Sequence, residues 1–315
     1  MTEATPSRQK SMTEAAVGSP GSSALCGART ISLLFPLFFL YTPRNPTHCL
    51  ENPTMTDETL LTGKPEIVAP MSFSDKMTNI FMSPGEVYEN VRLTPPTRSN
   101  WLVPTLLVAL MGLIMTFAMS TNPSLTAQMQ QQAKESMDRQ FQKQVEQGKM
   151  TPEQANQART QAEQFSSPTF MLISQGVAGV IGPFVGLVVL GLIYWLVGKW
   201  FIKSAAPFGK VLEVVGLANF IGVLDKLVTL IMQFAMDNIF ATPSAGMFIS
   251  GLSTGNPWHM FALSMNVFTF WELVVIAIGL SRLFQKDFPK ILVIVAAIWL
   301  IWTVAMVFGL GALRG

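Results

Sequence analysis

Cysteine is almost missing from this chain. Cys26 and Cys49 are the only two in 315 residues, and both precede Met71. The rest of the protein therefore has neither a disulfide framework nor a thiolate metal site. Histidine is as scarce. His48 shares the same early segment, which leaves His259 alone, and one histidine without cysteines is no basis for a transition-metal centre. Its place next to Trp258 reads as interfacial. Charge is short as well, at 13 % of residues against the roughly 25 % of a soluble domain. No basic run exceeds two residues, so a nucleic-acid partner has no electrostatic footprint.

Enzyme signatures are also missing. The chain has no H-E-x-x-H, no G-x-S-x-G, no P-loop and no dinucleotide glycine fingerprint. Gly251-Leu252-Ser253-Thr254 begins like a serine elbow but lacks the second glycine, and reads as a turn. Asp225 is the only aspartate inside an apolar stretch, so the aspartate pair of an intramembrane protease is lacking. The expectation is a protein that is not an enzyme, with no catalytic residue, no cofactor and no metal.

What remains is apolar. Half of the residues are hydrophobic, and they concentrate in five stretches at 101–119, 170–198, 211–236, 260–281 and 291–313. Only Glu213, Asp225, Lys226 and Glu272 are charged within them. Each stretch is near the ~20 residues that a bilayer crossing requires. The pattern predicts an all-α polytopic helical membrane bundle with five transmembrane helices.

Residues 1–70 are rich in Ser, Thr, Pro and Gly without a sustained period, the composition of a disordered or non-native extension. Residues 31–41 form an apolar run with the length of a signal-peptide core, preceded by Arg29. No small-x-small cleavage site follows it, and Met55 and Met71 are alternative starts. Residues 71–100 read as an amphipathic juxtamembrane segment. Ser83-Pro84-Gly85-Glu86 has capping-box spacing, and Val87, Tyr88 and Val91 share one face. That face predicts a short helix lying on the membrane surface. Residues 120–169 are the one long polar insertion. Leu125, Met129, Ala133, Met137, Phe141 and Val145 recur every fourth position, and Thr151-Pro152-Glu153-Gln154 restarts the pattern as a second capping box. This predicts an extramembrane helical hairpin, with docking of a partner as the alternative to simple self-packing.

Two constellations inside the spans stand out. Ala178, Gly182 and Gly186 recur every fourth residue, spacing that lets a neighbouring backbone approach closely. Asn219, Lys226 and Gln233 are seven apart on one face of span three, with Asp225 beside Lys226 and Glu272 on span four. A lone charge at mid-membrane costs roughly 2.5–3.5 kcal/mol on insertion scales. The charged groups are therefore expected to face the bundle interior and pair, with Glu272 as the principal partner of Lys226. Asn219, Asp225, Lys226, Gln233 and Glu272 form either a structural cluster that fixes helix register or part of an ion or substrate path.

The leading segment, Phe81-Met82-Ser83-Pro84-Gly85-Glu86-Val87-Tyr88 through Val91, Pro95 and Pro96, runs directly into a span, and five closely spaced spans follow. This resembles the Yip family (Ypt/Rab-interacting-protein domain), in particular its prokaryotic members. The resemblance covers about residues 77–313. The polar insertion is longer than the family's minimal pattern, and the Asp-Leu-Tyr-Gly-Pro signature of the trafficking branch is not in the sequence. The resemblance implies an integral membrane protein of the prokaryotic cytoplasmic membrane with no assigned reaction, and it transfers no catalytic residue. Basic residues flanking the spans favour an inside N-terminus and an outside C-terminus. The expected partners are the lipid bilayer and either other membrane proteins or a second copy. The function expected is a membrane-organising or protein-interaction scaffold, with a small transporter or channel subunit as the alternative.

Overall fold

The computed structural model describes residues 69–164 and 167–309. The extension at 1–68, including Cys26, His48, Cys49 and the run at 31–41, lies outside the described residues. Among the described residues the architecture is helical, and the nearest thing to a sheet is an isolated antiparallel bridge between Ser244 and Asn266. The five helices long and apolar enough to cross a membrane are α3 (Ser99–Thr121), α6 (Pro168–Trp200), α7 (Phe208–Met236), α9 (Val267–Phe284) and α10 (Phe288–Val304, continued by a π turn at Ala305–Gly309).

Helix α7 is the axis of the bundle. It packs against α3, α6 and α9, and α10 packs on α9. About 44 % of the apolar window is buried in α7 and α9 but 17 % in α6 and α10. The last two helices therefore form the lipid-facing periphery. Close approach depends on glycine at two crossings. A Cβ on Gly216 of α7 would sit 2.3 Å from the Trp101 Cα, and Gly112 of α3 meets the backbone of Gly179 of α6.

The segment expected to lie along the membrane surface packs on the bundle. It forms two helices, α1 (Phe73–Met82) and α2 (Pro84–Leu93), which fold as a hairpin against α7 and α9. Ile80, Val87, Tyr88 and Val91 are buried in the same core as Val214, Leu217, Ala277 and Leu280. The amphipathic face is real, but protein covers it where lipid was expected. Pro84 opens α2 as anticipated, although Ser83 makes no side-chain cap. The turn is closed instead by the Glu86 N–H on the Ser83 carbonyl.

The polar insertion is α4 (Pro123–Glu146) and α5 (Pro152–Gln164), which pack on each other. The second capping box forms reciprocally. Thr151 N donates to Gln154 Oε1 at 2.9 Å, and Gln154 N donates to Thr151 Oγ1 at 3.2 Å. Arg159 of α5 pairs with Asp138 of α4 at 3.3 Å.

Most span boundaries shift by two or three residues from the sequence reading, and one shifts by more. The fourth stretch is not one helix. Residues Pro257–Ser264 form a separate helix α8, the chain breaks at Met265 and Asn266, and the spanning helix begins at Val267. Asn266 ends the irregular stretch by accepting from the Phe268 N–H, so this residue decides where the span starts. Helix α10 begins at Phe288, three residues ahead of the expected Ile291. Pro289 at the first turn makes this start favourable, because its absent N–H has no intrahelical partner to lose.

Candidate functional site

The two ends of the bundle are built differently. At one end, here the capped end, α1, α2 and the starts of α3 and α7 meet around a buried ionic cluster. Glu213 is 1 % exposed and Asn100 is 1 % exposed. The Glu213 carboxylate accepts from Thr97 N at 3.0 Å and from Asn100 Nδ2 at 2.5 Å, and it pairs with Lys210 Nζ at 3.2 Å. Lys210 also donates to the Val91 carbonyl at 2.6 Å, and Lys76 Nζ reaches Asn100 Oδ1 at 3.5 Å. Every element of the cap is thereby tied to the first turns of α7.

Tyr88 completes the closure. Its hydroxyl donates to the Val214 carbonyl at 3.0 Å, and its ring lies against Gly279, where a Cβ would come within 2.9 Å of it. Burial and the nearby Glu272 charge hold the Tyr88 hydroxyl well above its usual value of 10.0, so the donor stays protonated. Burial lowers Lys76 from 10.5, an effect that the Glu213 charge opposes.

The opposite end is open. A cavity of about 240 Å³ is lined by Asp225, Lys226 and Thr229 of α7, Met115 of α3, Thr242 of the following loop, and Asn266 at the α8–α9 break. Asn266 Nδ2 donates to Asp225 Oδ1 at 2.9 Å. Non-helical backbone at such depth is tolerated where it is buried in protein or lines a polar cavity. The end is organised further by Asp237, in the left-handed region at φ 47, whose carboxylate accepts from Ser124 Oγ at 2.6 Å.

The five polar residues singled out in the sequence therefore occupy separate places. Asp225 and Lys226 share the cavity. Asn219 donates to Thr105 Oγ1 of α3 at 3.1 Å. Gln233 donates to the Ile239 carbonyl at 2.7 Å and holds the loop after α7. Glu272 and Lys226 are not joined as an ion pair. The Asp225–Asn266 bond sets the antiparallel register, and Glu272 lies six residues beyond Asn266. That places it about 9 Å further down, level with Asn219, and leaves about 10 Å along the axis to Lys226. Among the described residues the small-residue face also has no partner. A Cβ on Gly182 or Gly186 would meet nothing within 4 Å, and Ala178 is exposed. His259 Nδ1 accepts from Ser253 N at 3.1 Å, so its role is to hold the turn that includes Gly251 at φ 66.

Lys76, Asn100, Lys210, Thr105, Thr242 and Asn266 were not anticipated from the sequence. Lys210 and Glu213 carried a signal, their i,i+3 spacing, but both sit at a span edge, where a charge ordinarily reaches water. Asn266 carried another, as a capping residue inside an apolar run.

In the comparison with family profiles, the Yip1 domain matches residues 78–310. The chain belongs to the Yip1 domain family. No curated protein and no solved structure matches it. The matched range of the Yip1 domain starts within α1 and runs beyond the α10 π turn, so α2, Asn100, Lys210, Glu213 and the α4–α5 hairpin lie inside it, and the first half of α1 with Lys76 precedes it. Five spanning helices and membership of this family make the protein an integral membrane protein in contact with the bilayer.

Proposed function

We propose that this Yip1 domain is a non-enzymatic scaffold that organises the membrane or other proteins within it. The observation that carries the reading is the closed cap. Tyr88, Ile80, Val87 and Val91 pack against α7 and α9, and beside them Glu213 of α7 is bonded to Lys210 of the same helix and to Asn100 of α3. A conducting path would have to pass this layer, and opening it would strand buried charges. Charge placement supports an orientation in which the capped end faces the cytoplasm. Arg92, Arg98, Lys199, Lys203, Lys210, Arg282, Lys286 and Lys290 flank the spans there. The localisation we favour is the prokaryotic cytoplasmic membrane. On this reading the surfaces available to other membrane proteins or a second copy are α6, α10 and the hairpin.

The transporter reading has one observation in its favour, the interrupted helix beside Asp225 and Lys226, since broken helices often flank ion and substrate sites. Reconstitution in sealed liposomes separates the two. The scaffold reading expects no ion or solute flux above that of empty vesicles, together with recovery of a stoichiometric membrane-protein or self-association partner by crosslinking from α6 or the hairpin. Flux that disappears in Lys226→Gln would overturn it.

A further inference from the structure

We infer that the cavity at the α8–α9 break is a binding site for a phosphate ester, with Lys226 as its principal ligand. The inference goes beyond the scaffold reading and holds equally for a transporter. The charged and polar groups lining the cavity are not equivalent. Asp225 is already occupied. It accepts from Asn266 Nδ2 at 2.9 Å. Lys226 is the group with capacity to spare. Its ammonium has three donors, lines the cavity, and makes no hydrogen bond or ion pair among the described residues. The Thr242 hydroxyl faces the same space and is already bonded at 2.8 Å only to a neighbouring hydroxyl, that of Ser244. A free ammonium, a rotatable hydroxyl and apolar walls from Met115, Ile239, Phe240 and Leu263 suit a compact anion that carries an apolar part.

The size of the space suits the same chemistry, since a partly open cavity of about 240 Å³ admits a phosphoglycerol-sized group. The ester could be presented by a phospholipid or arrive free in solution.

The test uses the full chain in maltoside micelles and follows thermal unfolding with three probes. These are phosphatidylglycerol, a galactosyl diacylglycerol with the same acyl chains, and free glycerol phosphate. At a hundredfold excess over Kd, a bound probe should raise Tm by about 5–10 °C. The expected result is a rise with phosphatidylglycerol and none with the galactolipid. The shift should fall at least twofold in Lys226→Gln and be retained in Lys226→Arg. A matching rise with glycerol phosphate would assign a soluble ester, and a rise with phosphatidylglycerol alone would assign a lipid head group. Met115→Trp fills the cavity without touching Lys226 and should abolish the shift, which keeps the inference exposed should Lys226→Gln not fold. Equal shifts with the two lipids, or an undiminished shift in both Lys226→Gln and Met115→Trp, would overturn it.

Discussion

Removing Glu213 should be the most damaging single change at the capped end. Its carboxylate accepts from Thr97 N and Asn100 Nδ2 and pairs with Lys210, all at 3.2 Å or less, in a site where Glu213 is 1 % exposed and Lys210 is 5 % exposed. Glu213→Ala deletes the acceptor of two buried donors and leaves Lys210 and Lys76 without the one anion between them. Breaking a buried pair in this way costs about 3–5 kcal/mol. The value should lie near the middle of that range, because Lys210 keeps its bond to the Val91 carbonyl. Glu213→Gln retains one acceptor oxygen but turns an NH₂ group toward a donor. About 2 kcal/mol is expected, the cost of an unsatisfied buried group. Adding Lys210→Met to Glu213→Gln should recover part of the loss, since no second charge is then stranded. The assay is reversible denaturant unfolding in mixed micelles, followed by tryptophan fluorescence. A loss below about 1 kcal/mol for Glu213→Ala, or strict additivity in the double variant, would mean that water reaches these charges and that the cap is not sealed.

Four further outcomes follow from the same geometry. Gly279→Ala places a Cβ 2.5 Å from Val214 Cγ1 and 2.9 Å from the Tyr88 ring, so it should destabilise by about 1–3 kcal/mol, whereas Gly182→Ala faces open space and should be near neutral in thermal melts. Stability should rise with pH as the pH approaches 10.5 from below. Lys76 titrates below its usual 10.5 when folded, so the unfolded chain holds more protons; above 10.0 Tyr88, held protonated in the fold, acts in the opposite sense, and Lys76→Met should flatten the rise in pH-dependent unfolding. Single cysteines at Ser136 and Ser204, with Cys26 and Cys49 replaced, should label from opposite sides of sealed vesicles with an impermeant thiol reagent, and labelling from one side would refute the five-span topology. In a double-mutant cycle of Lys226→Met and Glu272→Gln the losses should add within about 0.5 kcal/mol, because about 10 Å of helix separates the two groups.

The five crossings were legible because a bilayer demands length and apolarity, both of which are visible in composition. The hairpin was legible because fourfold spacing and a Thr-to-Gln capping box are local signals. The break ahead of α9 was hidden. Trp258, Met260, Phe261, Ala262 and Leu263 are as apolar as any span, yet they belong to α8. Counting depth from Met260 already left about 10 Å between Glu272 and Lys226, a gap that long side chains and tilt were expected to close, and the Asp225–Asn266 register keeps it open. The location of the leading segment was hidden for a different reason. An amphipathic face says that something covers it, and Val87, Tyr88 and Val91 look the same under lipid as under α7 and α9. The glycine spacing in α6 had the same ambiguity, for it permits a close neighbour without naming one. Gly179, outside the periodic set, is the residue that meets Gly112.

The asymmetry between the two ends bears on where this protein can meet a partner. At the capped end the backbone and charges of α7 are bonded inward, and the core helices α7 and α9 are already covered there by α1 and α2. Helix α6 is the opposite case. Its 33 residues extend about 50 Å, well beyond a ~30 Å core, so it must tilt or project from the membrane. Ile173, Val177, Ile181, Val185 and Val188 are exposed along it. In lipid these side chains have no hydrophobic drive toward a protein partner, so association would have to come from close packing. The face with open glycine positions is where close packing is sterically available. A bulky residue at Gly182 should therefore leave the folded monomer intact and yet weaken any lateral association through α6. Melting temperature and crosslinking yield would then respond differently to the same substitution.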